Sequence, residues 1–165
     1  MDGQRRGSVL IEFTLVGIPL IFMMTSIMMI ALAMWQFETL AYGTQTTARF
    51  VVMHGRTCTQ DGNSCTVTLN DIATYFSGQT IALDPNKTKL TLKSVSGTTT
   101  CEPLISCNGN TTVFPSAADN GINFDVTVTA TYGVVNPLAL FWRGTAGAGP
   151  GTLNLFATSR QRIMF

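Results

Sequence analysis

Apolar residues run from Phe13 to Phe37 with no Asp, Glu, Lys, Arg or His among them, whereas the chain beyond is polar and rich in threonine. The uninterrupted pattern has no polar stripe, so it predicts a helix with an apolar surface all round rather than an amphipathic one. At 1.5 Å per residue it reaches roughly 37 Å, enough to cross a hydrocarbon core of about 30 Å. From Glu38 to Met53 the pattern changes. Leu40, Thr44, Thr47, Ala48 and Val51 fall at helical spacing and predict a one-sided continuation of the same helix, with Gly43 weakening it and Gly55 as a stop.

Further along, residues 56–66 read as a Gly/Asn loop. A short helix is expected to begin near Asn70, to turn Ile72, Ala73 and Phe76 inward and to end at Gly78. Lys89 to Val95 alternates, with Leu90 and Leu92 on one face. The clearest strand is Asn123 to Val134: Phe124, Val126, Val128, Ala130, Tyr132 and Val134 point one way, and Asp125, Thr127, Thr129 and Thr131 the other. A last strand, Thr152 to Arg160, would carry Leu153, Leu155 and Ala157 inward. Thr98 to Thr100 and the stretch from Cys101 to Cys107 read as connections. Leu138 to Trp142 reads as core, the alternative being an exposed partner surface where the sheet leaves it uncovered. The expected fold is α+β: a long N-terminal transmembrane helix, then a small antiparallel sheet of three to four strands with a short helix. One face of such a sheet meets a core and the other meets water.

Composition agrees with this division. The 165-residue chain is 45% hydrophobic but only 12% charged, about half the charged share of an ordinary soluble domain. Its net charge is +1, with no Lys/Arg cluster after residue 56, which gives no footing for a nucleic-acid partner. Lys87, Lys89 and Lys93 alternate with apolar residues and belong to a solvated strand face. Arg5 and Arg6 precede the apolar run, so the positive-inside rule keeps the N-terminus cytoplasmic and sends the remainder outward. Trp35, Phe37 and Tyr42 then fall near the outer interface. An ordinary signal peptide, cut after Ala31-Leu32-Ala33, would need an apolar segment of about 7–15 residues, shorter than this one. The arginine pair alone is a weak twin-arginine signal.

Cys58, Cys65, Cys101 and Cys107 all lie beyond the apolar run, an even number suited to an oxidising compartment. Three pairings are possible, and the two local ones, Cys58 with Cys65 and Cys101 with Cys107, are favoured. The spacing offers no C-x-x-C metal motif, and His54 is the sole histidine. Gly144 to Gly151 lacks the Gly-Lys-Ser/Thr ending of a phosphate loop and reads as a surface loop. Asp61, Asp71, Asp84, Glu102, Asp119 and Asp125 fall mostly at turns and helix starts, where aspartate caps backbone. No nucleophile–base pair, cofactor motif or metal set points to an enzyme.

Glu12 is the residue out of place, with Val9, Leu10 and Ile11 before it and Phe13 after. A charge at the centre of a membrane helix costs about 2.5–3.5 kcal/mol, less near the interface. The string Arg5-Arg6-Gly7-Ser8-Val9-Leu10-Ile11-Glu12-Phe13 resembles the processing site of type IV pilin-like precursors. With the long apolar helix and its continuation to Thr47-Ala48-Arg49-Phe50, it resembles the TadE-like minor pseudopilins of tight-adherence (Flp) pilus systems. The resemblance covers residues 5–53.

It implies that residues 1–7 are a leader cut off after Gly7 on the cytoplasmic side by a prepilin peptidase. Residues 8–53 would then be a transmembrane and juxtamembrane helix, and residues 54–165 an extracytoplasmic domain. It further implies a single-pass protein of the bacterial inner membrane, periplasmic at its C-terminal end and able to enter a pilus. Its partners would be other pseudopilins, the major pilin, the peptidase, the assembly platform and membrane lipid. Cleavage would free an α-amine at Ser8, and Glu12, with Phe13 beside it, would set register by meeting a neighbouring subunit's amine. A paired charge tolerates burial that a lone one does not. The alternative is an unprocessed, membrane-anchored periplasmic binding or adaptor domain in which Glu12 only reaches back to water.

Overall fold

The computed structural model describes residues 3–54, 66–135 and 152–164, the side chains at 3–10, 135 and 152 excepted. Gly55, the 56–65 part of the Gly/Asn loop with Cys58, Asp61 and Cys65, the Leu138 to Trp142 stretch and Gly144 to Gly151 lie outside the described residues. The α+β expectation holds: one long apolar N-terminal helix, one short helix and a four-stranded antiparallel sheet.

Helix α1 spans Gly3–Met53, 51 residues and about 75 Å. It runs through Pro19, whose missing N–H deprives only the Leu15 carbonyl of its usual donor. Inside the apolar run the hydroxyls are turned back on the helix itself. Thr25 donates to the Ile21 and Phe22 carbonyls at 3.0 Å and Ser26 to Phe22 at 2.7 Å, so neither presents an unpaired donor to an apolar environment. From Leu40 onward the helix becomes one-sided, as its spacing predicts: Leu40, Thr44, Thr47, Ala48 and Val51 are buried. Thr44 tolerates this because its hydroxyl donates to the Leu40 carbonyl at 2.7 Å. Gly43 does not interrupt the helix. A Cβ there would overlap Cγ2 of Thr80, so the missing side chain lets α1 approach the end of α2 closely.

Helix α2, Leu69–Gln79, starts one residue earlier than expected because Thr68 is its N-cap. Thr68 Oγ1 accepts the Asp71 amide at 3.2 Å, and Asp71 accepts the Thr68 amide at 3.1 Å, a reciprocal capping box. Gly78 does not end the helix. Thr80 does, donating its N–H and hydroxyl to the Phe76 carbonyl at 3.0 and 2.8 Å. Ile72, Ala73 and Phe76 are buried as the periodicity requires.

The strands are β1 (Thr88–Lys93), β2 (Thr98–Cys101), β3 (Asp125–Val135) and β4 (Thr152–Arg162), in the order β2-β1-β3-β4, all antiparallel. Strand β2 corrects the reading of Thr98 to Thr100 as a connection; the Ser94–Gly97 turn folds it back on β1. Inner rows such as Cys101, Leu90, Ala130 and Ala157 meet the helices, with α1 against β3 and β4. Two expected core positions are instead exposed. Phe124 precedes β3 and packs over Gly121, and Leu153 lies near the start of β4. Ile163, just beyond β4, is fully buried in their stead, its amide bonded to the Phe124 carbonyl at 2.9 Å.

Candidate functional site

Along α1 from Ile11 to Phe37 the large apolar side chains are exposed on every side, Phe13 at 77% and Met28 at 66% among them. Moving one such side chain out of water is worth about 1.5–3 kcal/mol, so the segment as a whole carries an unmet transfer free energy on the order of tens of kcal/mol. Exposed patches of this extent mark a partner or a membrane. The segment is long and apolar enough to cross a membrane.

Glu12 stands exposed near the start of this surface, and no ion pair reaches it from a described residue. Helical spacing places Leu15 and Val16 on its face. Beside it, Ile11, Thr14, Leu15, Ile18 and Pro19 line a shallow, open apolar hollow. Glu12 is not among the lining residues, but Ile11 precedes it and Leu15 lies one turn on, so its carboxylate can accept a cationic donor from outside the helix while the hollow receives an apolar side chain. Gly7 and Ser8 lie on the helical backbone, as do Arg5 and Arg6, and their side chains are outside the described set. Phe13 is among the most exposed residues of the helix.

The cysteines divide. Cys101 and Cys107 form a disulfide, Cα atoms 5.5 Å apart, one of the two local pairings favoured from sequence. It closes over a 3₁₀ turn, Leu104–Cys107, and both sulfurs are buried with Leu104. The residues just after it hold the start of α2. Asn70 Oδ1 accepts the Gly109 amide at 2.8 Å, and the Leu69 and Asn70 amides bond the Thr112 and Asn110 carbonyls at 2.9 and 3.0 Å. The bridge is therefore structural. Cys58 and Cys65 fall outside the described residues.

The carboxylates also serve structure. Asp71 caps α2, and its carboxyl is held below the usual range chiefly by the Thr68 hydroxyl. Asp84 accepts from the Asn86 backbone and amide, and Asp125 from Arg160 and Arg162, with the same direction of shift. Glu102 pairs with Lys89. Sequence reasoning missed the joint that Asp119 makes. This buried carboxylate accepts the Ser94 hydroxyl at 2.6 Å, the Ser96 hydroxyl at 2.5 Å and the Ser96 amide at 3.0 Å, tying the β1–β2 turn to the 114–121 loop. Those donors, the Ser94 hydroxyl first, lower its pKa. A contact between residues more than twenty positions apart leaves no local signature.

His54, near the end of α1, points Nδ1 at the Phe50 carbonyl at 2.7 Å, and Phe50 stacks on Tyr75 with centroids 4.3 Å apart. That arrangement fastens α1 to α2. Among the described residues no three of His, Cys, Asp and Glu converge. Comparison with protein-family models, with curated proteins and with solved structures returned no match.

Proposed function

We propose that this chain is a pilin-like subunit of the TadE-like minor pseudopilin kind, taking part in assembly of a tight-adherence pilus through packing of its apolar N-terminal helix. The observation that carries the reading is Glu12. It is an exposed carboxylate five residues beyond Gly7, on a helix with exposed apolar side chains all round. Before assembly the helix is a membrane anchor with Arg5 and Arg6 on the cytoplasmic side, in the bacterial inner membrane, and the sheet domain is periplasmic. Cleavage after Gly7 leaves Ser8 with a free ammonium group, and Glu12 of one subunit pairs with that ammonium on the next. The ion pair costs little where both partners leave water together and much where one is missing, so it selects a single stagger between helices. The peptidase, neighbouring pseudopilins, the major pilin and the membrane platform are the partners this chemistry requires.

Co-expression with a prepilin peptidase, followed by mass spectrometry of the N-terminus, tests the reading. A chain beginning at Ser8 supports it, and Gly7→Ala is expected to remain uncut. Glu12→Ala is expected to be processed normally yet fail to enter assemblies. A chain that keeps Met1 with an active peptidase would instead favour the unprocessed adaptor, in which Glu12, near the helix start, snorkels to the interface.

A further inference from the structure

We propose that the solvent face of the sheet binds an acidic polysaccharide carrying about one carboxylate per disaccharide. The inference goes beyond the assembly reading and is independent of cleavage after Gly7.

The strand register lays the face out row by row. Lys93 of β1 is level with Thr98 of β2 and Thr127 of β3, and Thr127 with Arg160 of β4. The next row is four threonines, Thr100, Thr91, Thr129 and Thr158, with the Thr129 and Thr158 hydroxyls 3.1 Å apart. These side chains point away from the helices, because their strand neighbours Leu90, Leu92, Val128 and Ala157 are the buried set. No described element covers the face.

Threonine hydroxyls donate and accept, as sugar hydroxyls do, and their stiff side chains lose little freedom on binding. The cations supply the charge. Arg160 and Arg162 share the single carboxylate of Asp125, at 2.6 and 3.3 Å, which leaves one positive charge at that corner. Lys93 is exposed and has no ion-pair partner among the described residues. Lys93 and Arg160 stand two strands apart, about 10 Å, close to the length of a disaccharide. Two long cationic side chains rooted at that separation, with hydroxyls beside them, can reach carboxylates spaced along a sugar chain. Duplex nucleic acid, with a charge every ~1.7 Å, calls for a denser cationic surface. Single strands call for stacking platforms, and Phe156 is the only aromatic side chain among the described residues of this face.

The test is titration of the full-length protein, in uncharged detergent at low salt, with hyaluronate, neutral dextran and duplex DNA. Hyaluronate is expected to bind and dextran not to. Lys93→Gln with Arg160→Gln is expected to weaken hyaluronate binding about tenfold. Thr129→Val with Thr158→Val, which keeps the branched shape and the charge, is expected to weaken it about threefold. Arg49→Gln, which removes one positive charge from an exposed position on α1 away from this face, serves as the control and should change nothing. Absence of hyaluronate binding, equal loss in the Arg49 variant, or tighter binding to DNA than to hyaluronate would each overturn the proposal. Cleavage at Gly7 is irrelevant to all of these outcomes, so failure here leaves the assembly reading standing.

Discussion

Replacing Gly43 with alanine should destabilise the docking of α1 on α2, although alanine is the better helix former. In an exposed helix interior the exchange favours alanine by about 1 kcal/mol. Here the new methyl would overlap Thr80 Cγ2, with Phe76 Cε2 at 3.5 Å and Thr80 Cβ at 3.7 Å behind it. Thr80 cannot swing aside cheaply. It is buried, and its hydroxyl and amide are both committed to the Phe76 carbonyl at 2.8 and 3.0 Å. Overpacking of this kind costs about 1–3 kcal/mol, so the net expectation is a loss of about 1 kcal/mol. Gly78→Ala is the internal reference. Nothing lies within 4 Å of its added methyl, so it should gain about 0.5–1 kcal/mol. Amide hydrogen exchange across α2, on the full chain in mild detergent, reads both; a 1.4 kcal/mol loss appears as tenfold faster exchange in the slow, globally protected amides. Adding Thr80→Ser to Gly43→Ala removes the offending methyl and should restore much of the protection. The reasoning fails if Gly43→Ala is protected as well as Gly78→Ala, or if Thr80→Ser restores nothing.

Other substitutions test other joints. Thr47 is fully buried and its hydroxyl has no hydrogen-bond partner among the described residues, so Thr47→Val should stabilise the domain by about 1 kcal/mol in denaturant titration; a loss would mean the hydroxyl is satisfied after all. Replacing Cys101 and Cys107 together with serine opens a loop of sequence separation 6, a change worth about 2 kcal/mol by loop entropy. Exchange should rise first at Leu69 and Asn70, whose amides the following residues hold. Asp119, its carboxyl lowered by serine donors, contributes stability that is complete above its unfolded value of about 3.9 and is lost as pH falls through the lower folded value. Acidification through that window should therefore deprotect the Ser96 amide selectively, and Asp119→Asn should abolish that pH dependence. A Ser96 amide in the wild type that keeps its protection throughout would count against this.

Periodicity disclosed the parts of this fold that obey it. The all-round apolar run, the one-sided set from Leu40 to Val51 and the alternation from Val126 to Tyr132 each state which face leaves water, and the structure places them so. What escaped depends on neighbours distant in sequence. Thr98 to Thr100 is polar and brief, and becomes a strand because β1 lies beside it. Gly43 reads as a weak point in a helix until Thr80 is known to sit against it. Asp119 looks like a turn residue and is a buried joint between two loops. Leu153 has the right parity for the core, but Ile163 beyond the strand's other end is the residue buried. At the candidate site, Glu12 and Phe13 could be picked out because charge in an apolar run is anomalous by itself. The cationic threonine face could not, since its rows exist only through pairing of four strands from separate stretches of chain.

The continuity of α1 joins these observations physically. One helix carries both an apolar surface with no partner among the described residues and a buried face built into the domain core, without a break between them. The second half is stabilised by packing on β3, β4 and α2, whereas the first half has no such support among the described residues, and lipid or other helices can supply it. An uninterrupted helix transmits rotation as well as force, about 100° for every residue added or removed between the halves. The direction in which Glu12 faces is therefore coupled to the direction in which the sheet faces. Whatever meets the helix near Glu12 also orients the domain, and with it the threonine-lined face that α1 leaves uncovered.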